Sequence, residues 1–354
     1  MRVLAALSGG VDSSVAAALL VEDGHEVVGA TMKLWGGESD TGCCSVSDVE
    51  DARRCAAQLG VDHHVFNYGA EFEEYVVEPY VADHAAGRTP NPCVECNRHL
   101  KFDVLLERAE LLGFDAVATG HHARIVEHAD GTRRIARGAD EDKDQSYVLY
   151  PLRGRELDRV RFPIGHLTKA EVREIAAGLG LRTAEKPESQ DVCFITRADG
   201  RSAFLGERIE MHPGRVIDET GVTLGTVDAV ELVTVGQRRG LHLAGGGMRR
   251  FVTDVDIEQR TVTVGSPDSL RTRDLGLHRM VWADVAPRGG RTVAVDAQVS
   301  AHGLAEPASV MVSADGSVDV RWLEPQRKVA PGQSVVLYEG DEVLAGGIVV
   351  DRRD

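Results

Sequence analysis

The chain has 354 residues, enough for two or three domains. Its 40 basic and 56 acidic side chains give a formal charge of −16. That balance argues against indiscriminate nucleic-acid binding but leaves room for a local basic groove with a specific partner. Six cysteines, no low-complexity tract and no membrane-spanning stretch exclude a disulfide scaffold and predict a cytoplasmic protein with reduced thiols.

Val3–Leu7 reads as a strand. Arg2 ahead of it raises the question of a secretion signal, but the apolar run is too short and leads straight into a turn, so export is not expected. The turn is Ser8-Gly9-Gly10-Val11-Asp12-Ser13, and an Ala/Leu-rich helix follows it to Gly24. Without side chains, Gly9 and Gly10 let the backbone bend and aim its N–H groups at an anion, and the helix N-terminus adds partial positive charge. A bound phosphate is the expectation. No Gly-Lys-Ser/Thr closes the loop, so it is not a Walker A loop.

Val27–Leu34 reads as a second strand, Ser47-Asp48-Val49-Glu50 as a capping box opening a helix to Gly60, and His63–Tyr68 as a third strand. A helix over Lys101–Leu112 and a strand over Asp115–Thr119 follow, the strand running into Gly120-His121-His122. This alternation predicts a parallel sheet with helices on both faces and ligands at the strands' carboxyl ends, where Ser8, Met32 and Gly120 fall. Thr168-Lys169-Ala170-Glu171 is a second capping box, its helix ending at Gly180. Beyond about residue 205, short alternating runs are separated by turn signals at Asp218–Gly221, Gly245–Gly247 and Asp315-Gly316. Val310–Val312 and Val318–Trp322 predict a hairpin, with further strands at Val335–Tyr338 and Ile348–Val350. The expected organisation is an α/β nucleotide-binding domain (1–205), a small β-rich linker domain (206–273) and a C-terminal β-barrel (274–354).

Thr89-Pro90-Asn91-Pro92-Cys93-Val94-Glu95-Cys96-Asn97 is punctuated by two prolines that keep it stiff. Cys93 and Cys96 form a C-x-x-C without the second pair or the histidines that structural zinc requires. Arg88, Arg98, His99 and Lys101 favour a thiolate at Cys96, and a helix opening at Lys101 would add its N-terminal field. Cys193 lies between polar residues and Phe194-Ile195, the pattern of a loop docking on the core; alone it reads as a buried structural cysteine. Cys43, Cys44 and Cys55 read the same way, Cys55 on a helix face with Val49, Ala52, Ala56 and Leu59.

SGGVDSS at the start, TPNPCVECN with KF to residue 102, ATGH at 118–121, DKDQSY at 142–147, KPESQDVCFI at 186–195, HPG at 212–214, TVGQRRGL at 234–241 and APGQ at 330–333 occur in one order. Together they resemble the bacterial tRNA-specific 2-thiouridylases, members of the PP-loop ATP pyrophosphatases, over essentially the whole chain. The resemblance implies that Ala6, Leu7, Ser8, Gly9, Gly10, Val11, Asp12 and Ser13 enclose the ATP phosphates, that Met32 contacts the adenosine and that Gly120 closes over the nucleotide. It makes Cys96 the nucleophile and Cys193 the carrier of a persulfide. It sets Asn91, Pro92 and Cys93 against the target base, brings Lys143, Asp144 and Gln145 to tRNA, and has His121 and Gln333 place the anticodon loop. ATP and Mg²⁺ are the implied cofactors. The implied partners are a tRNA with a wobble uridine and a persulfide donor protein, such as a cysteine desulfurase or a sulfur relay protein; no membrane is involved.

Adenylation would turn the uridine 2-carbonyl oxygen into a good leaving group. Either the persulfide attacks the base and Cys96 resolves the link as a Cys96–Cys193 disulfide, or Cys96 first releases hydrosulfide; both remain open. The base must leave its stack to react. Some family members have Asp at the position of Cys93, so a general base there is absent or displaced. The third thiol raises an alternative, an iron–sulfur cluster on Cys93, Cys96 and Cys193. At Ala301-His302-Gly303-Leu304 family members can carry more basic residues, which implies a weaker or rearranged tRNA grip. Two rival readings are an amide-forming ATP pyrophosphatase, which would need no cysteine, and a redox or metal-binding protein, which would leave the Ser8–Ser13 loop unexplained.

Overall fold

A computed structural model describes residues 1–35, 45–187, 192–195, 200–243, 249–287, 290–314 and 316–350. Cys43, Cys44, the Gly245–Gly247 turn and Asp315 lie outside the described residues. The first strands are β1 (Arg2–Ala6), β2 (Glu26–Lys33), β3 (Asp62–Asn67) and β4 (Ala116–Ala118). An antiparallel hairpin of β5 (Ala123–Glu127) and β6 (Arg133–Arg137) follows, and then β7 (Val160–Arg161). Five of them form one parallel sheet in the order β3-β2-β1-β4-β7, with Val3 opposite both Val27 and Ala116. The order reverses between β1 and β4, which opens a crevice at their carboxyl ends.

Helices cover both faces of this sheet. Leu4 points into the main core, whereas Val3, Ala5 and Leu7 pack with Ala17 and Leu20 of α1 (Val11–Glu22) and with Ala52 and Ala56 of α2 (Val46–Leu59). Cys55 of α2 is a core residue, as its helix face predicts. The N-cap of α2 is Ser45, whose hydroxyl accepts from Asp48 N, in place of the predicted Ser47. The helix predicted from Lys101 begins earlier. A turn over Pro92–Glu95 with Asn91 as N-cap runs into a π-helix, Cys96–Val104, and then Leu105–Leu111. Cys96 therefore sits within a continuous helical stretch, and no N-terminus at Lys101 acts on it.

A second sheet holds β8 (Gly214–Asp218), β9 (Thr223–Val227), β10 (Phe251–Asp256) and β11 (Thr261–Gly265), in the order β10-β11-β8-β9 around Val216, Val252, Val262 and Val264. The remaining strands are β12 (Arg271–Trp282), β13 (Thr292–Gln298), β14 (Glu306–Val312), β15 (Val318–Arg327), β16 (Ser334–Glu339) and β17 (Glu342–Val349). They run in the order β12-β15-β14-β13-β16-β17, and pairing of β12 with β17 closes a six-stranded barrel around Leu277, Val310, Val320, Trp322 and Leu337. The predicted hairpin is β14–β15, with Val310 opposite Val320.

One pairing crosses the chain. β6 lies against β17 at Ala136–Glu342, so the β5–β6 hairpin extends the barrel sheet. Around it Tyr147 Oη donates to Ser334 O at 2.7 Å, the Ser146 and Tyr338 hydroxyls are 3.0 Å apart, and the Arg137 guanidinium lies 3.8 Å above the Tyr338 ring. Val336, Tyr338 and Val343 of the barrel belong to the same core as Leu4 and Phe102. Among the described residues no helix is long and apolar enough to cross a membrane.

Candidate functional site: a phosphate loop and two cysteine segments

The residues from Ser8 to Ser13 join β1 to α1 in a turn closed on itself. Ser8 N donates to Ser13 Oγ at 3.2 Å, and the Ser13 and Ser14 hydroxyls donate to Gly10 O at 3.1 and 2.8 Å. Gly9 has φ +74°, and a Cβ there would stand 2.3 Å from Asp48 O. The first turn of α2 is thus pressed directly against the loop. Gly120, at the exit of β4, is as confined: a Cβ would meet Ser13 N at 2.5 Å and the Asp12 carbonyl carbon at 2.6 Å. Ala6, Leu7 and Val11 are the apolar supports beneath, and Met32 lies at the end of β2 opposite Phe66. Ser8–Ser13 and Gly120 are adjacent at the strand-order reversal, Met32 lies one strand away, and most of the loop after β2 lies outside the described residues.

Asp12 is the electrostatic centre of this turn. Both its carboxylate oxygens accept from Lys169 Nζ at 2.7 Å, and His122 Nε2 is 3.2 Å from Oδ1. Burial alone would raise the Asp12 pKa, but the hydrogen bonds from His122 and Lys169 and the Lys169 charge hold it below the usual carboxylate value. Lys169 opens the Lys169–Gly178 helix, whose capping box of Thr168 and Glu171 forms as predicted. The sequence signalled a helix start at Lys169; only the fold shows its ammonium reaching Asp12, 157 residues away.

The Cys93–Cys96 segment is fixed from outside its own domain. Thr89 N donates to Pro331 O at 2.8 Å, Thr89 O accepts from Gln333 Nε2, and Thr89 Oγ1 donates to Thr234 Oγ1 at 3.4 Å. Loops from three parts of the chain thus meet one residue ahead of Pro90-Asn91-Pro92. Asn91 Oδ1 then accepts from Cys93 N at 3.1 Å, and Asn97 Nδ2 donates to Cys93 O at 2.8 Å. Cys96 is buried in the main core, while Cys93 and Cys193 are half-buried. Cys193 packs on that same core beside Phe194, whose ring touches Trp35, Phe72, Tyr80 and Phe204. The two cysteine segments therefore lie on one core cluster. Among the described residues no group of three or more His, Cys, Asp or Glu is placed to hold a metal ion, so the arrangement gives no support to a three-thiol cluster.

Several residues expected to meet tRNA have partners within the protein. The Asp144 carboxylate accepts from Arg137 Nη1, Gly138 N, Ser146 N and Ser146 Oγ, which ties it to the barrel interface. Gln145 exchanges hydrogen bonds with the His122 backbone at 2.9 Å each. Lys143 is half-buried in the turn that Asp140 begins. His121 is buried between Phe102 and Phe162, its Nδ1 2.7 Å from Thr119 Oγ1 and its Nε2 3.4 Å from Lys101 Nζ. Burial, with Lys101 and His122 beside it, pushes its pKa far down and keeps the ring neutral at pH 7.

Comparison with known proteins follows the three sheets. A domain family described as "tRNA methyl transferase HUP domain" matches residues 1–197, "tRNA methyl transferase PRC-barrel domain" matches 202–266 and "Aminomethyltransferase beta-barrel domain" matches 272–349. "tRNA-specific 2-thiouridylase MnmA" of Roseiflexus sp. (strain RS-1) is 45% identical, covering 98% of both chains. The protein of the same name from Frankia casuarinae is 49% identical, again over 98% of both. The chain belongs to the tRNA-specific 2-thiouridylase family. Lys169 and Thr89 contact the expected residues Asp12 and Gln333 through pairings that only the fold brings about.

Proposed function

We propose that the protein is a tRNA-uridine 2-sulfurtransferase that thiolates the wobble uridine of tRNA at the expense of ATP. The observation that supports this reading is family-wide likeness over 98% of the chain, joined to a glycine-rich loop at the strand-order reversal and two cysteine segments on one core cluster. Methyl transfer, the chemistry named in the domain descriptions, calls for neither a phosphate loop nor paired cysteines.

In the proposed sequence Ser8 to Ser13 and the N-terminus of α1 bind the ATP phosphates, Met32 the adenosine, and Gly120 covers the nucleotide. The uridine 2-oxygen attacks the α-phosphorus, and pyrophosphate leaves. Mg²⁺ needs only one or two carboxylates besides phosphate oxygens and water; Asp12 would hold it by an oxygen that Lys169 gives up, and the ion would neutralise the departing pyrophosphate. Lys169 and His122 keep Asp12 charged beside the loop. The Cys193 persulfide then attacks C2, and AMP carries away the former carbonyl oxygen. Cys96 attacks Cys193 Sγ, so the outer sulfur stays on the base and a Cys96–Cys193 disulfide forms, which a thiol reductant must reopen. Release of hydrosulfide by Cys96 before the attack leads to the same products. The Asn91–Cys93 turn forms the wall beside the base. The persulfide comes from a donor protein.

Sulfur transfer to an unmodified tRNA with a wobble uridine, read as a shifted band on a mercury-containing gel, tests this. The band requires ATP and is lost in Cys193→Ser. ATP-independent transfer, or full transfer in Cys193→Ser, overturns the mechanism.

A further inference from the structure

Lys186 opens the KPESQDVCFI motif, seven residues ahead of Cys193, and the reaction sequence above gives it no part. Its ammonium is held by two carboxylates of one helix turn, donating to Asp48 Oδ1 and Asp51 Oδ2 at 2.7 Å each. Asp48 is the residue whose backbone presses against Gly9, and its other oxygen is fixed by Ser45 Oγ at 2.8 Å. A rigid contact therefore leads from the phosphate loop through Asp48 to Lys186. A second route starts at Asp12. Lys169 binds its carboxylate; one turn along the same helix, Arg173 donates to Ala184 O at 2.5 Å and to Lys186 O at 3.3 Å. The two routes share no residue between the loop and the 184–186 stretch.

We propose that Lys186 is a positioning residue: it fastens the start of the sulfur-carrying segment to the ATP-binding loop, while Phe194 fastens the far side of Cys193 to the core. The Asp48 whose side chain binds Lys186 is the residue whose backbone packs on the phosphate loop. Chemistry supplies a reason for the tether. The persulfide must be presented where the base has been adenylated, and a misplacement of about 1 Å can cost about 100-fold in rate. The inference rests on the sulfur-carrying role proposed for Cys193.

The test uses the full-length protein with Lys186→Met, Lys186→Arg and Asp51→Asn, the last leaving one carboxylate in place should Lys186→Met not fold. Three quantities are read: AMP formation with tRNA and ATP, thiolation of tRNA, and the alkylation rate of Cys193 followed by peptide mass. In Lys186→Met, AMP formation stays within about twofold while thiolation falls about tenfold or more. Cys193 alkylation shifts away from the parent rate, Cys96 alkylation does not, and Lys186→Arg restores part of the loss. Asp51→Asn shows the same split in smaller measure. AMP formation and thiolation falling together, or unchanged Cys193 alkylation, overturns the proposal. A protein that thiolates no tRNA would sink the sulfurtransferase reading instead, and the alkylation rates would still decide whether Lys186 positions Cys193.

Discussion

Single side chains set the chemistry of this crevice through their charge state. Asp12 is kept ionised by Lys169 and His122, so Asp12→Ala removes the carboxylate on which both converge. AMP formation should fall by about 100-fold or more while tRNA binding, measured by filter retention, is spared. His84 shows the opposite case. It is 2% exposed against Tyr80, and burial, aided by the Arg201 charge, pushes its pKa down to about 4 against a weak opposing bond at Glu231. The unfolded chain takes up this proton near pH 6.5, well before the folded one does. The contribution to stability is therefore complete above pH 6.5 and declines as pH falls toward 4. Between pH 7 and 5 in urea unfolding, His84→Gln should lose about 2 kcal/mol less than the parent, with buried His121 contributing a loss of its own in both. The sequence indicated Asp12 through its loop but was silent on Lys169, because a lysine at the start of a helix looks like any solvated cation. Its partner is set by how the Lys169–Gly178 helix packs on α1.

At the scale of elements, close backbone approach replaces side-chain chemistry. Gly9→Ala would place a methyl into the Asp48 carbonyl at a positive φ, and Gly120→Ala would lift the β4 exit off the first turn of α1. Each should cost about 1–3 kcal/mol in urea unfolding and abolish ATP binding by equilibrium dialysis. The parallel strands and both flanking helices were legible because their apolar periods are long and end in glycine, as at Gly24 and Gly60. The cysteine helix was misjudged. Two prolines within four residues suggested a stiff extended loop, yet Pro92 sits where its missing N–H costs nothing, at the first helical position after the Asn91 cap. The π-helical stretch that follows answers to packing around Leu100 and Phe102 and has no signature in residue type.

For the whole molecule, the junctions between sheets decide what behaves as a unit. Tyr338 is fully buried between the barrel and the first domain, so Tyr338→Ala should destabilise by about 3–5 kcal/mol. In calorimetry the barrel should show no transition separate from that of the first domain, and Tyr338→Ala should lower the shared one. Two independent transitions for these parts would contradict the joint core. The barrel hairpin could be read locally from Val310–Val312 and Val318–Trp322. The association of β6 with β17 could not, since nothing in Arg133–Arg137 names a partner two hundred residues on.

That partnership has a consequence during synthesis. The β5–β6 hairpin leaves the ribosome roughly 200 residues before β17, a wait on the order of 10–40 s at ordinary translation speeds. For that interval the edge of β6 is open to any passing strand. The edge reads Arg-Arg-Ile-Ala-Arg, and three positive charges in five residues are a deterrent to pairing between nascent chains. When β17 emerges, Glu342 joins Glu339 and the earlier Asp284 around Arg134. The arginines that guard the unfinished chain thus become the seam of the finished one.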